Sequence, residues 1–573
     1  MNMSTPISRR LFLGGLGAAV LATALPGCAS SVTGGNGGGT LVIGAAVAAS
    51  NVFPLNFNRY GGGDTAPGTD LVFESLFRIS SKDGGQILPV LAEKVEHTDD
   101  GKQATYTLRK GVTWSDGEKF TSKDVAYTLG AIYGPPKSVE EKAEDEFVWL
   151  TKAIETPDDH TVIVSYHDDQ RQQETNLALY YPMVPAHIYQ KTEGVFEFPT
   201  EDTMKTPTGT GPYKLKNFQN QLVQYEKRDD YWGREVGPTE VQFVPSGQAG
   251  NIETQITQGR VDLAEGGAPG VVKGFAVASD TNDYTFIADG GSRGVVFQVQ
   301  NEAGPMADIN VRRALRASVD FEAVQAAAGI GYTLPNTTGV DPVIFESLQT
   351  PELSKPIAAD LEQAKKDLEA SGWTLNAKGN LEKDGKEHVL SVKVQNDQPT
   401  DMVTVPIIVA QWKENLGLNV AFDPKPKDVM DGIVQMGEFD MAVLGLNFPG
   451  TPWSLFTMYD VDNHTTAGPG EKQTYTGNYG RYMWGDEARK GMAVLVNTLN
   501  TPETQDKITE AVRAVQQALD ADAPFIPYQG GGTGLMSSHK NFKALPKPET
   551  VDYFPRVGAP GNLNELLADV KAS

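Results

Sequence analysis

A single cysteine in 573 residues excludes a disulfide within the chain, so the fold must hold by burial alone. Histidine is equally sparse. The seven present (His97, His160, His167, His187, His388, His464 and His539) have no His-x-x-x-His spacing, and nothing in the sequence supports a zinc enzyme. Basic residues are outnumbered 49 to 73, a net charge of -24. A field of that sign repels nucleic acid and anionic lipid and argues against a DNA- or RNA-binding role. After the N-terminal segment no run approaches the 18 or so apolar residues of a membrane helix. No Walker sequence, fixed-period repeat or further low-complexity tract occurs beyond residue 40.

What the chain does carry begins with the position of its cysteine. Arg9 and Arg10 are the only charges before an apolar stretch, Leu11 to Leu25, of about 15 residues, which is too short for a comfortable span and suits an export signal. Ser8-Arg9-Arg10-Leu11-Phe12-Leu13 resembles the twin-arginine export motif, departing at Gly14, where Lys is common. Leu25-Pro26-Gly27-Cys28 resembles a lipobox, whose cysteine becomes the lipidated first residue of the mature chain. The competing reading of Cys28 is a small buried apolar residue. Residues 29 to 40 are Gly- and Ser-rich and read as a tether with a reach of roughly 17 to 21 Å. The expected location is therefore the outer face of the cytoplasmic membrane, held by lipid.

About 545 residues follow the cysteine, enough for three or four domain-sized units. Leu41 to Val47 reads as a buried strand, Gln103 to Leu108 as a half-buried one, and Val295 to Val299 and Val389 to Val394 as further strands. Helical spacing is found at Leu71 to Ile79, Thr121 to Leu129, Val311 to Val319, Ile357 to Ala370 and Pro406 to Asn415. This alternation predicts α/β architecture.

Several segments together resemble a known family. Leu71-Val-Phe-Glu-Ser-Leu-Phe77, Pro89-Val-Leu-Ala-Glu93, Asp99-Asp-Gly101, Tyr106 to Gly117 and Phe120 to Val125 occur in order. They are followed by Val184-Pro-Ala-His187, Gly209-Thr-Gly-Pro-Tyr213, Val311-Arg-Arg-Ala-Leu315, Ala364 to Trp373, Gly437-Glu-Phe-Asp440 and Ile526-Pro-Tyr528. The pattern is similar to that of family 5 extracellular solute-binding proteins, the dipeptide- and oligopeptide-binding components of ABC importers. The resemblance implies a two-lobed, periplasmic-binding-protein-like clamp with an extra subdomain. Lobe I would comprise 41–75, 206–296 and 527–573, the insertion 76–205 and lobe II 297–526. Two crossings between lobes, near Gly290 to Val299 and Pro524 to Gln529, would act as hinges. A membrane permease would be the partner, a separate subunit would hydrolyse ATP, and the protein would work as a monomer without a cofactor.

Other chemistry is weaker. Gly290-Gly-Ser292-Arg-Gly294 fits the G-x-S-x-G pattern of serine hydrolases, but that nucleophile needs a strand, a sharp turn and a helix, and a strand is expected after it here. Asp460, Asp462, His464 and Glu471 fall in a calcium-loop register that has Thr465 where a glycine is required. Paired carboxylates, Asp99 with Asp100 and Asp229 with Asp230, sit among polar neighbours and read as solvated surface.

In peptide-binding members of the family an aspartate shortly after the equivalent of Gly437 to Asp440 pairs with the peptide amino terminus. Here no carboxylate lies between Asp440 and Asp460. An unpaired buried ammonium would forgo a charge-assisted bond of about 1.5 to 3 kcal/mol. The stretch instead holds Asn447, Phe448, Thr451 and Trp453, amide and hydroxyl groups beside aromatic faces, and its Thr-Pro-Trp resembles oligosaccharide-binding members. Tyr479, Arg481 and Trp484 form a second aromatic cluster, and Phe53 and Gln529 complete the candidate contacts. A neutral oligosaccharide is the expected ligand, a peptide the alternative. The competing role for these rings is core packing. Replacing Cys28 by Ala is expected to move the protein from the membrane to the soluble fraction on fractionation; an unlabelled protein still in the membrane would refute the lipobox.

Overall fold

Leu41, Val42 and Ile43 are all buried, as consecutive apolar residues are when a strand lies between two parallel neighbours. The strand Thr40–Ala45 pairs in parallel with both Glu240–Pro245 and Leu263–Gly266. The computed structural model describes residues 39–45, 52–58, 60, 65–79, 87–133, 151–167, 177, 181–190, 205–245, 251–266, 282–287, 292–328, 334–340, 348–446, 456, 480, 482, 486–498, 505–529, 533–538, 540–542 and 562–570. These belong to the unit Gly35–Ser573. Arg9, Arg10 and Cys28 lie outside the described residues.

Lobe I is a seven-stranded sheet in the order Asn282–Ile287, Thr533–Ser538, Leu263–Gly266, Thr40–Ala45, Glu240–Pro245, Leu222–Lys227 and Tyr213–Gln219. The C-terminal helix Asn562–Asp569 closes its core, placing Leu563, Leu566 and Leu567 among Phe57, Tyr213 and Phe243. Lobe II is a five-stranded sheet in the order Val420–Lys425, Leu390–Gln395, Met441–Gly445, Arg293–Phe297 and Phe525–Gln529. Helices Ile309–Ala317 and Pro399–Leu416 share a core with it through Leu315, Val392 and Trp412. Asp486–Thr498 and Gln505–Asp522 share a second with Val296 and Phe525. Mixed parallel and antiparallel pairing with helices makes the fold α/β, as expected.

The insertion has its own four-stranded antiparallel sheet, Ala92–His97, Gln103–Leu108, Thr161–Tyr166 and Thr151–Asp158, and its own core around Tyr106, Trp114 and Leu129. Arg228 joins it to lobe I. Its buried guanidinium donates to the carbonyls of Gly209 (3.1 Å) and Gly211 (3.2 Å) on one side and of Thr113 and Trp114 (both 3.2 Å) on the other. The glycines are required by space: a Cβ on Gly209 would stand 1.9 Å from the Val72 carbonyl oxygen, and one on Gly211 2.4 Å from that of Leu71.

The arginine-rich Val311 to Leu315 motif has an equally local explanation. Arg312 donates to the carbonyls of Met306 (2.7 Å), Ala307 (3.1 Å), Asp522 (2.7 Å) and Ala523 (3.1 Å), while Arg313 and Arg316 bond those of Ala521 and Asp520. Three cations thus meet the negative end of helix Gln505–Asp522 and satisfy carbonyls that the helix itself leaves open.

Three expectations need correction. Leu71 to Ile79 is not a helix but a single 3-10 turn, Thr69–Leu71, followed by the strand Phe77–Ile79. Its apolar residues serve two cores in turn: Leu71, Val72 and Phe73 face lobe I, and Leu76, Phe77 and Ile79 the insertion. Helix Pro399–Leu416 begins seven residues before Pro406, which it accommodates internally. The lobe boundaries move as well, because 293–296 and 527–529 hydrogen-bond within the lobe II sheet rather than lobe I. Substituting Arg312 by Ala should strand four carbonyls and cost about 3 kcal/mol in urea unfolding; a loss under about 1 kcal/mol would show that water replaces the guanidinium.

Candidate functional site

The chain passes between the two sheets twice. In lobe I, Asn282–Ile287 pairs antiparallel with Thr533–Ser538, placing Ile287 opposite Thr533. In lobe II, Arg293–Phe297 pairs antiparallel with Phe525–Gln529, placing Arg293 opposite Gln529. The strands on either side of both crossings are therefore antiparallel neighbours in each sheet, and the short segments that join them, 288–291 and 530–532, lie outside the described residues. Rotation of one lobe against the other has to be absorbed there.

A buried polar cluster fixes the lobe II end of both crossings. Asp401, fully buried in the first turn of Pro399–Leu416, accepts from Arg293 Nε at 3.0 Å, a second Arg293 nitrogen completing a bidentate pair. It also accepts from the Tyr528 hydroxyl at 2.5 Å. Burial, reinforced by the Asp401 carboxylate, pushes that hydroxyl far above its usual range, so it remains a donor. Arg293 keeps 29 % of its side chain exposed, and Gln529 beside it is half-buried with its Oε1 unpartnered.

The stretch singled out for ligand contact starts at this place. Met441–Gly445 pairs with the first crossing strand, setting Gly445 opposite Arg293, and the Leu446 amide donates to the Ser292 carbonyl at 2.8 Å. Asn447 is the next residue; Asn447, Phe448, Thr451 and Trp453 lie outside the described residues. The preceding carboxylate, Asp440, is engaged by His388 Nε2 at 2.8 Å, which raises the His388 pKa.

The other candidates divide. Gln529 stands at the crossing. Phe53 is 2 % exposed and packs in the lobe I core, so burial in that core has claimed it. Tyr479, Arg481 and Trp484 lie outside the described residues, but Gly480 accepts from Val299 N at 3.0 Å, at the end of the first crossing strand remote from Arg293, and Tyr482 is in the core. Sequence reasoning missed Asp401 and Tyr528. Ile526-Pro-Tyr528 was visible only as a motif, and an aspartate in a first helical turn carries no signal of a partner 108 residues away.

Hydrolase geometry is not met. Ser292 runs directly into the strand Arg293–Phe297, with no helix following. Among the described residues no group of three or more His, Cys, Asp or Glu could hold a metal ion. The calcium-register residues 460–471 lie outside them.

The model of bacterial extracellular solute-binding proteins, family 5, middle region, matches residues 86–467. The chain belongs to this family. It is 26 % identical over 351 residues to the oligopeptide-binding protein OppA of Lactococcus lactis subsp. lactis (strain IL1403), covering 56 % of this chain and 58 % of that one. It is 28 % identical over 353 residues to the nickel-binding periplasmic protein of Escherichia coli (strain K12), covering 59 % and 62 %. A 27 % match to the probable peptide-binding protein YejA of Agrobacterium fabrum (strain C58 / ATCC 33970) covers 30 % and 28 %. The chain thus spans under two thirds of the length of these curated relatives. Its fold matches the periplasmic oligopeptide-binding protein of an oligopeptide ABC transporter from Thermotoga maritima, TM-score 0.75 at 22 % identity over 94 % of this chain and 99 % of that one. A mannohexaose-bound structure of the same Thermotoga protein matches at TM-score 0.68 and 22 % identity, over 93 % and 98 %.

Breaking the buried pair by Asp401→Ala should cost about 3 to 5 kcal/mol, because a cation loses its only charged partner among the described residues. Tyr528→Phe should cost about 1 to 2 kcal/mol. Urea titration of both variants checks the order, and equal losses would show that the hydroxyl rather than the ion pair dominates.

Proposed function

We propose that this protein captures an extracellular solute between its lobes and delivers it to the permease of an ABC importer, and that the solute is a neutral oligosaccharide. Membership of a solute-binding family, together with a fold match over nearly the whole chain, supports the first part. The observation that carries the ligand class is the start of the 447–453 segment beside Ser292, where the nearby carboxylate Asp401 is already paired with Arg293, while Asp440, at the far end of the preceding strand, is paired with His388. A peptide ammonium would find no free acidic partner in them, whereas sugar hydroxyls can use Gln529 and Asn447 while a ring face lies on Trp453.

Closure follows from affinity that is greater in the closed form than in the open one. A micromolar site needs about -8 kcal/mol, within reach of stacked rings and a few hydrogen bonds. In this reading Cys28 carries lipid, Arg9 and Arg10 direct export, and the protein works as a monomer on the outer face of the membrane.

A peptide ligand is the second reading, in line with fold neighbours such as the ABC transporter-associated periplasmic binding protein DppA of Helicobacter pylori in complex with the peptide STSA. Thermal-shift screening of the purified protein against neutral oligosaccharides and short peptides separates the two, since a ligand of the folded state raises the melting temperature. A shift with sugars alone is expected; a shift with peptides alone would overturn the ligand class and leave the transport reading standing. Trp453→Ala should weaken binding about ten- to a hundredfold with little change in melting temperature. The reverse pattern, lower stability with unchanged affinity, would put Trp453 in the core.

A further inference from the structure

Away from the crossings, a cavity of about 470 Å³ opens where three parts of lobe I meet. Arg78, Glu93, Arg109 and Lys110 line it from the insertion, Glu74 and Tyr231 to Arg234 from the core, and Asn564 and Glu565 from the C-terminal helix. Among the described residues, none of lobe II lines it. Its size falls in the range of small-molecule sites.

Four cations converge there in a chain of net charge -24. Two are committed: Arg78 and Arg234 each approach Glu565 at 3.5 Å, and Arg234 also pairs with Asp569. The other two are not. Arg109 donates Nε to the Val90 carbonyl at 2.9 Å and lies 5.0 Å over the Trp232 ring, which orients its fork but leaves both terminal nitrogens without an acceptor among the described residues. Lys110, adjacent and exposed, has no acidic partner within 4.0 Å among them.

Two of the three lining carboxylates are engaged by other groups. Glu565 is taken by Arg78 and Arg234, and Glu74 accepts from the Tyr231 hydroxyl at 2.7 Å and Trp232 Nε1 at 3.1 Å. Glu93 is exposed to solvent. Burial also pushes the Glu74 carboxyl above its usual range. Also in the lining, Asn564 is 8 % exposed and both polar atoms of its amide lack a hydrogen-bond partner among the described residues. Native proteins rarely leave a buried amide donor and acceptor both unused.

We propose that this cavity is a second ligand site, for a small organic anion with a carboxylate or phosphate group. The anionic oxygens meet the Arg109 fork and Lys110, a geometry that guanidinium groups favour, while a neighbouring hydroxyl or carbonyl of the ligand meets the Asn564 amide. Because the walls come from the insertion, the core and the C-terminal helix, occupancy would brace three segments at once.

The test uses the full chain in a thermal-shift titration with citrate and with 3-phosphoglycerate, each against sodium chloride of equal ionic strength. A saturable rise in melting temperature beyond the chloride control is expected from at least one; a response to citrate shows that carboxylates suffice, and a response to 3-phosphoglycerate without one to citrate shows that the phosphate is needed. Lys110→Glu should weaken the response at least tenfold, Lys110→Ala less so, and Asn564→Leu should weaken it without reversing any charge. In Trp453→Ala the response should persist. No shift beyond chloride, an undiminished shift in Lys110→Glu, or its loss in Trp453→Ala would each overturn the proposal.

Discussion

The chain passes between the two sheets at two places, each flanked by strands that are antiparallel neighbours within their own sheet, and the described cluster of Arg293, Asp401 and Tyr528 is built beside them. One passage leaves the lobe I sheet at Ile287 and enters the other at Arg293; the second returns from Gln529 to Thr533. Any rotation of one lobe against the other has to pass through these two short connections. The Arg293, Asp401 and Tyr528 cluster pins the lobe II end of both, since a buried carboxylate with two donors has one low-energy arrangement. A solute that binds between the lobes gains by closing them, provided that its contacts are better in the closed form.

Rigid lobes are the complement of such connections, and here they depend on buried arginines bonded to backbone carbonyls. Arg228 holds the insertion to lobe I through four carbonyls, and Arg312 ties the start of its own helix to the end of Gln505–Asp522. A guanidinium suits this work because its five donors spread over a plane and reach several acceptors at once. Without disulfides, such multidentate contacts join segments far apart in sequence. The second proposed site uses cationic side chains in the opposite condition: the terminal nitrogens of Arg109 have no acceptor, and Lys110 no acidic partner, among the described residues.

Much of this was legible in the sequence, and its failures have identifiable causes. Strand Gln103–Leu108 was recoverable to the residue because one of its faces is buried and period-two alternation results directly. Leu71 to Ile79 misled because its apolar residues divide between two cores, and periodicity assumes one. Phe53 was read as a ligand contact and is core, since an aromatic ring carries no mark of which surface will cover it. Asp401 went unnoticed for the converse reason: a carboxylate acquires its role from Arg293 and Tyr528, 108 and 127 residues away.

The sequence by itself determined what depends on order along the chain: the α/β alternation, the family motifs in succession, the acidic charge and the absence of disulfides and zinc spacing. Tertiary structure alone decided which segments meet. It paired the strands flanking the two crossings, set Leu446 against Ser292 at the start of the candidate ligand loop, and gathered Arg109, Trp232 and Asn564 around one cavity. Local pattern reports only the burial of a residue relative to its near neighbours, whereas these sites are made by contacts between residues hundreds of positions apart, whose geometry is fixed only when the cores pack.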